Sequence, residues 1–217
     1  MSASLPLYLI LSLSGGCMDA YSYLCRDRVF ANAQTGNMLL FGVNLAEGNY
    51  PDALKYLWPI LAFSVGIVLS DVIRSRMQRS RLHWRQLSLL AEVVILFLAS
   101  LLPQSRNAAA NAMISLACGL QVESFRAVLG NSIATTMCIG NLRSGLNHLT
   151  AFFQTRQRER LKKALIYFGI ILSFILGAVI ESALIRRFAE RALYLSVGTL
   201  IAAFLLMFRR TDGPEQD

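Results

Sequence analysis

Charge is what this sequence has least of. Only 16% of its 217 residues are charged, whereas 55% are hydrophobic; an ordinary soluble domain carries about 25% charged residues. A water-facing surface on a chain of this length would need the missing charge, so a soluble globule is excluded. Catalytic signatures are lacking as well. The two histidines, His83 and His148, are too far apart in sequence to suggest a metal cluster. No Ser-His-Asp arrangement, zinc motif, phosphate loop or haem-ligation signature occurs. The chain therefore reads as no enzyme, with no catalytic residue, no cofactor and no metal expected. Paired cysteines are absent: Cys17, Cys25, Cys118 and Cys138 lie in apolar or near-apolar context with no CxxC spacing. They read as small buried hydrophobes rather than disulfides or ligands. Residues 1–8 have neither a basic region nor a small-residue cleavage site, so the first apolar stretch reads as a retained helix, not a signal peptide.

What is present is apolar runs. A transmembrane helix takes about 20 apolar residues, and the candidate spans are 5–24, 54–73, 87–102, 108–128, 164–185 and 192–208. Two further segments, 29–45 and 133–153, are apolar but interrupted by Gly, Asn, Thr and Gln. They are expected to be partly helical pieces that enter the membrane without simply crossing it. Non-helical backbone at that depth needs surrounding protein or a water-filled cavity. The expected class is thus an all-α membrane protein of about six transmembrane helices.

The net charge of +8 does not point to nucleic acid. Its arginines sit in short runs between apolar stretches, the topogenic pattern of membrane proteins, and no face of interleaved basic and aromatic residues accompanies them. The dense basic loops are Arg74, Arg76, Arg79, Arg81, Arg85 and Arg156, Arg158, Arg160, Lys162, Lys163. Six crossings with a cytoplasmic N-terminus put both loops, Arg209-Arg210 and the C-terminus in the cytoplasm. Counting the interrupted segments as full crossings would put the loops on opposite sides. The cost is that Arg186, Arg187 and Arg191 face outward, partly offset by Glu190.

The chain also resembles itself. Residues 15–37 align without a gap onto 119–141, so that Asp19 meets Glu123, Tyr21 meets Phe125, and Gly36-Asn37 meets Gly140-Asn141. After a seven-residue insertion, Ala62-Phe63-Ser64-Val65-Gly66 lies on Ser173-Phe174-Ile175-Leu176-Gly177. A polar pair follows in each half, Ser70-Asp71 and Glu181-Ser182. The organisation expected is a three-span repeat over 1–103, a second over 104–210, and a polar tail over 211–217. Three crossings per half force the second copy to insert upside down. Secondary transporters built from such inverted repeats hold substrate near the midplane, at the repeat interface, on broken helices.

The candidate site residues follow from this symmetry. Asp19, in the first apolar stretch, costs about 2.5–3.5 kcal/mol to insert, so it is expected to face the interior as an ion site or to pair with Arg26 or Arg28. Gln34, Thr35, Gly36 and Asn37 gather polar groups beside a Gly that admits close backbone approach. Their counterparts are Thr135, Thr136, Gly140 and Asn141, with Gln121, Glu123 and Arg126 close in sequence. Glu123 and Arg126, three residues apart, can also pair along one helix. Free helix N-termini would favour an anion, with Arg126 and Arg143 near; Asp19 and Glu123 favour a cation. The sign stays open on these residues. Gly66 and Gly177 sit in small-xxx-small patterns that allow close helix packing. Glu92 is isolated among apolar residues of the third span.

Gly15-Gly16-Cys17-Met18-Asp19-Ala20, the string from Val29 to Asn37, the Ala62 to Gly66 stretch, Gly119-Leu120-Gln121, and Thr135-Thr136 with Gly140-Asn141-Leu142 resemble the YoaK-like bacterial membrane proteins. These are six-span proteins of uncharacterised function. Two departures occur: Ile139 stands where that family usually has Thr, and Glu123 where it tends to be uncharged. The resemblance implies the six-span fold and an inner (plasma) membrane location, and names no substrate. The function expected is a small-solute or ion transporter, the alternatives being an ion channel or a non-transporting scaffold or sensor. The expected partners are the lipid bilayer, an unknown small solute or ion and no nucleic acid. Six short helices are few for a sealed site, which makes a homodimer plausible.

Overall fold

A computed structural model describes residues 4–76, 83–128 and 131–208. Eight α-helices dominate them: α1 (Leu5–Cys25), α2 (Gln34–Ala46), α3 (Tyr50–Arg76), α4 (Trp84–Ser100), α5 (Asn107–Ser124), α6 (Cys138–Thr155), α7 (Arg158–Phe188) and α8 (Tyr194–Phe208). Each expected span falls on one helix, and the two interrupted segments supply α2 and α6. Arg79, Arg81 and the tail 209–217 lie outside the described residues.

Helix ends follow local chemistry. Ser4 caps α1 by accepting the Leu7 N–H, and Pro6 sits in its first turn, where a missing N–H costs nothing. His83 and Gln86 form a reciprocal capping box on α4. Beyond α1, Asp27 and Arg28 both take positive φ and reverse the chain.

Polar side chains are buried among an apolar core, while large apolar ones stand on the surface. Ser14, Ser115, Asn111, Gln121, Glu92 and Glu181 are buried, while Leu39, Val68, Leu172 and Val179 each expose more than half their surface. A surface of that kind belongs against lipid rather than water. Tyr50–Arg76 and the stretch Arg158–Phe208 are long and apolar enough to cross a membrane. At 13 residues α2 is only about 20 Å long, too short for a hydrocarbon core of about 30 Å.

The two halves exchange helices. α1 packs on α7 and α3 packs on α5, and glycines set both crossings. A methyl added at Gly16 would run into the Phe174 carbonyl, and one at Gly177 into the Leu13 carbonyl. At the other crossing Gly66 faces the Leu116 carbonyl and Gly119 faces the Phe63 carbonyl. Hydroxyls reinforce the close approach: Ser12 Oγ donates to Ile170 O at 2.9 Å and Ser173 Oγ to Leu9 O at 2.7 Å. Ser70 and Ser124 hydrogen-bond across α3 and α5 at 2.9 Å. Small residues with such interhelical bonds are how helices associate where lipid is as apolar as leucine.

The expected pairing of Asp19 with Arg26 or Arg28 does not form among the described residues. Arg26, fully buried, instead donates to Tyr21 Oη, Leu102 O, Pro103 O and Asn107 Oδ1. This guanidinium ties the end of α1 to the turn between α4 and α5. The reason is separation: Arg26 sits about two helical turns, roughly 11 Å of helix axis, beyond Asp19, and its guanidinium is taken up by the carbonyls of Leu102 and Pro103.

Candidate functional site

After α1 the chain turns back into the bundle. The Asn32 N–H donates to Asp19 Oδ1 at 2.7 Å, and Asn32 Nδ2 donates to Gly15 O at 3.1 Å. Asp19 and Gly15 precede the end of α1 by about 9 and 15 Å of helix axis, so segment 29–33 re-enters to that depth before α2 starts. The second half does the same after a two-stranded hairpin, Ala127–Val128 paired with Asn131–Ser132. Thr135 Oγ1 then accepts from Gln121 Nε2 at 3.0 Å, which ties the returning segment to α5.

The Gly-Asn motif is explained by what its asparagine does. Asn37 Oδ1 accepts the Phe30 N–H at 3.1 Å and Asn37 Nδ2 donates to Phe30 O at 2.8 Å. Asn141 makes the same two bonds with Ala134, at 3.3 and 2.6 Å. An extended segment beside a helix has no ladder partner, and its buried N–H and C=O groups must still be satisfied. Each asparagine supplies one donor and one acceptor to the residue seven positions earlier, clamping the re-entrant segment to the helix that follows it.

The two re-entrant segments meet at a cavity of about 340 Å³, within the range of small-molecule sites. Its wall holds Ala33, Gln34 and Thr35 at the start of α2, and Met137, Cys138 and Ile139 at the start of α6. Phe63 of α3 and Phe174 of α7 also line it. These are positions that the internal alignment pairs. Asp19, Asn32 and Thr136 complete the polar part of the wall. Asn32 Oδ1 and Thr136 Oγ1 are buried without a hydrogen-bond partner among the described residues.

The predicted site residues therefore separate into three groups. Asp19, Gln34, Thr35 and Thr136 line the cavity. Behind the wall lie Asn37, Asn141, Thr135 and Gln121, all buried, and their bonds run to protein groups. Gly36 belongs with them, because a methyl there would press on the Phe30 ring at 2.9 Å, whereas Gly140 faces open space. Glu123 and Arg126 are not in the wall; they pair with each other at 3.1 Å at the end of α5. Arg143 is exposed and likewise outside the wall.

The alignment of Asp19 with Glu123 does not survive as a spatial equivalence. At the helix crossings Gly16, not Gly15, plays the part of Gly119. From those glycines α1 continues for nine residues and α5 for only five. The second half makes up the difference in its hairpin, so the ungapped match concealed two compensating changes.

Sequence reasoning missed Asn32, Phe63, Phe174, Cys138 and Ile139 as wall residues. The signal for the phenylalanines was present, since the alignment matched them, but an aromatic in a packed span reads first as core. Two more buried groups stand apart from the cavity wall. Glu92 on α4 and Glu181 on α7 are fully buried, and neither carboxylate has a hydrogen-bond partner among the described residues.

Comparison with known proteins places the chain. The family model described as "Protein of unknown function (DUF1275)" matches residues 7–206. The UPF0700 transmembrane protein YoaK of Bacillus subtilis (strain 168) is 23% identical over 181 residues, 80% of each chain. No solved structure matches.

Proposed function

The chain belongs to the DUF1275 family of YoaK-like membrane proteins, and we propose that it is a small-solute or ion transporter whose site is the cavity between its two halves. The observation that carries this reading is the cavity wall. It is built from aligned pairs: 33–35 with 137–139, at the starts of the two helices that follow the returning segments, and Phe63 with Phe174. Broken helices meeting at a repeat interface are the arrangement on which secondary transporters bind substrate.

The wider reading has α1, α3, α4, α5, α7 and α8 as six crossings in two inverted repeats, in a bacterial inner membrane with both termini cytoplasmic. α2 would then open toward the outside and α6 toward the cytoplasm. The exchange of α1 and α5 between halves gives each rocking unit parts of both repeats. Glu92 and Glu181 fit the same reading, because lone carboxylates inside a membrane bundle mark ion or proton pathways.

Single cysteines introduced at Thr35 and Ile139 test it, in a chain with Cys25→Ser and Cys138→Ser so that only buried native thiols remain. In sided membrane vesicles, membrane-impermeant thiol reagents are expected to reach Thr35→Cys from outside and Ile139→Cys from the cytoplasmic side. If neither position reacts from either side, no aqueous path reaches the cavity and the proposal fails.

A further inference from the structure

The geometry of the cavity points to its solute: we infer that it binds a small organic cation, an amine with a compact apolar body. This deepens the reading above and rests on the cavity being the site. Three sets of observations decide the sign and the class.

The first is the balance of charge. Among the described residues the wall contains one carboxylate, Asp19, and no Lys, Arg or His. Opposing it are the helix N-termini, each equivalent to about half a positive charge. At α2 part of that potential is already met within the chain: the Gln34 N–H donates to Asn32 O at 2.8 Å and the Gly36 N–H to Ala33 O at 2.9 Å. No side chain caps either helix, and both ends remain as counterweights, that of α2 reduced. One full negative charge against two ends of about half a positive charge each, one of them reduced, leaves the balance in the cavity negative.

The second is the kind of group left waiting. Asn32 spends its Nδ2 on Gly15 O, and the oxygen that remains is an acceptor. Thr136 Oγ1 is a second buried group free to accept. An ammonium donates and cannot accept, so it complements both, whereas a carboxylate ligand could take a hydrogen bond from the Thr136 hydroxyl but would meet only an acceptor in Asn32 Oδ1.

The third is the apolar surface. Phe63 and Phe174 bring aromatic rings from α3 and α7, and Met137, Ile139 and Ala33 fill in around them. Aromatic faces attract desolvated cations, and the apolar groups suit carbon better than a hydrated inorganic ion. A bare metal ion would want a cluster of ligating side chains, and no group of three His, Cys, Asp or Glu able to hold one occurs among the described residues.

The test uses the purified full-length chain in detergent, titrated calorimetrically with tetramethylammonium and benzylammonium, and with benzyl alcohol and benzoate as matched neutral and anionic probes. At least one ammonium is expected to bind tenfold or more tightly than benzyl alcohol, with benzoate weaker still. Asp19→Asn, which keeps an oxygen for the Asn32 N–H, is expected to weaken the ammonium tenfold or more. Phe174→Leu, which leaves the acid intact, is expected to weaken it severalfold. The same ammonium is expected to slow labelling of Thr35→Cys. Benzoate binding as tightly as an ammonium, or ammonium binding that survives Asp19→Asn, overturns the inference. If Thr35→Cys labels readily but neither ammonium binds or protects it, the cation inference falls while the transport site stands. If Thr35→Cys never labels, the site falls and this inference with it.

Discussion

Replacing Asn37 by alanine is the sharpest test of how the re-entrant segments are held. The asparagine makes three hydrogen bonds: it accepts from Phe30 N–H at 3.1 Å and donates to Phe30 O and Gln34 Oε1, both at 2.8 Å. Asn37 is fully buried and Phe30 half-buried, so alanine leaves polar groups without partners. Each orphaned buried group costs about 1–3 kcal/mol. Counting the Phe30 N–H and C=O as the two that water cannot readily reach, Asn37→Ala should destabilise the fold by about 2–6 kcal/mol, a large part of the roughly 5–15 kcal/mol a folded protein has. Asn141→Ala makes one fewer bond to lose and should fall at the lower end of that range. Unfolding in detergent, followed by circular dichroism and by reactivity of the buried thiols Cys17 and Cys118, measures the cost. The control is Gly42→Ala on the same helix, where an added methyl meets nothing within 4 Å and should stabilise by about 0.5–1 kcal/mol. If both asparagine variants stay within about 0.5 kcal/mol of wild type, less than one net hydrogen bond, the clamps carry no load and the explanation of the Gly-Asn motif is wrong.

Two further perturbations probe the frame around the site. Alanine at Gly16, Gly66, Gly119 or Gly177 drives a methyl into carbonyl backbone of the facing helix, an overpacking that should cost about 1–3 kcal/mol or more. Gly198→Ala, in open space, should cost nothing, and a thermal scan of the five variants separates the two outcomes. Arg26→Lys keeps the charge but cannot span four acceptors held around a planar guanidinium. With two of them orphaned it should lose about 2 kcal/mol or more, whereas Arg28→Lys, at an exposed position, should not; equal melting temperatures for the two would refute the latch.

The helices were legible because an apolar run of about 20 residues has few other uses, and each expected span coincides with one helix within a few residues. The interruptions in 29–45 and 133–153 were legible too, since Gly, Asn, Thr and Gln in an apolar setting need some structural reason. What that reason was could not be read. A buried amide looks the same in a sequence whether it faces a solute or its own backbone, and Asn37 and Asn141 turned out to face backbone, while Asn32, five residues earlier, lines the cavity. The acids misled for a different reason. An ungapped alignment is blind to a helix that ends one turn early and a hairpin that restores the count, so Glu123 was matched with Asp19 although it pairs with Arg126 at the end of α5. That difference between the halves has a physical logic. Both halves must send backbone back into the bundle, so both need a clamping asparagine. One bound cation needs only one counter-charge, and a second carboxylate in the same cavity would repel the first and cost more to bury than it returned. On the reading that the halves arose by duplication, the frame is expected to stay symmetric and the charge is not, and Asp19 without an acidic partner across the cavity is the form such a site should take.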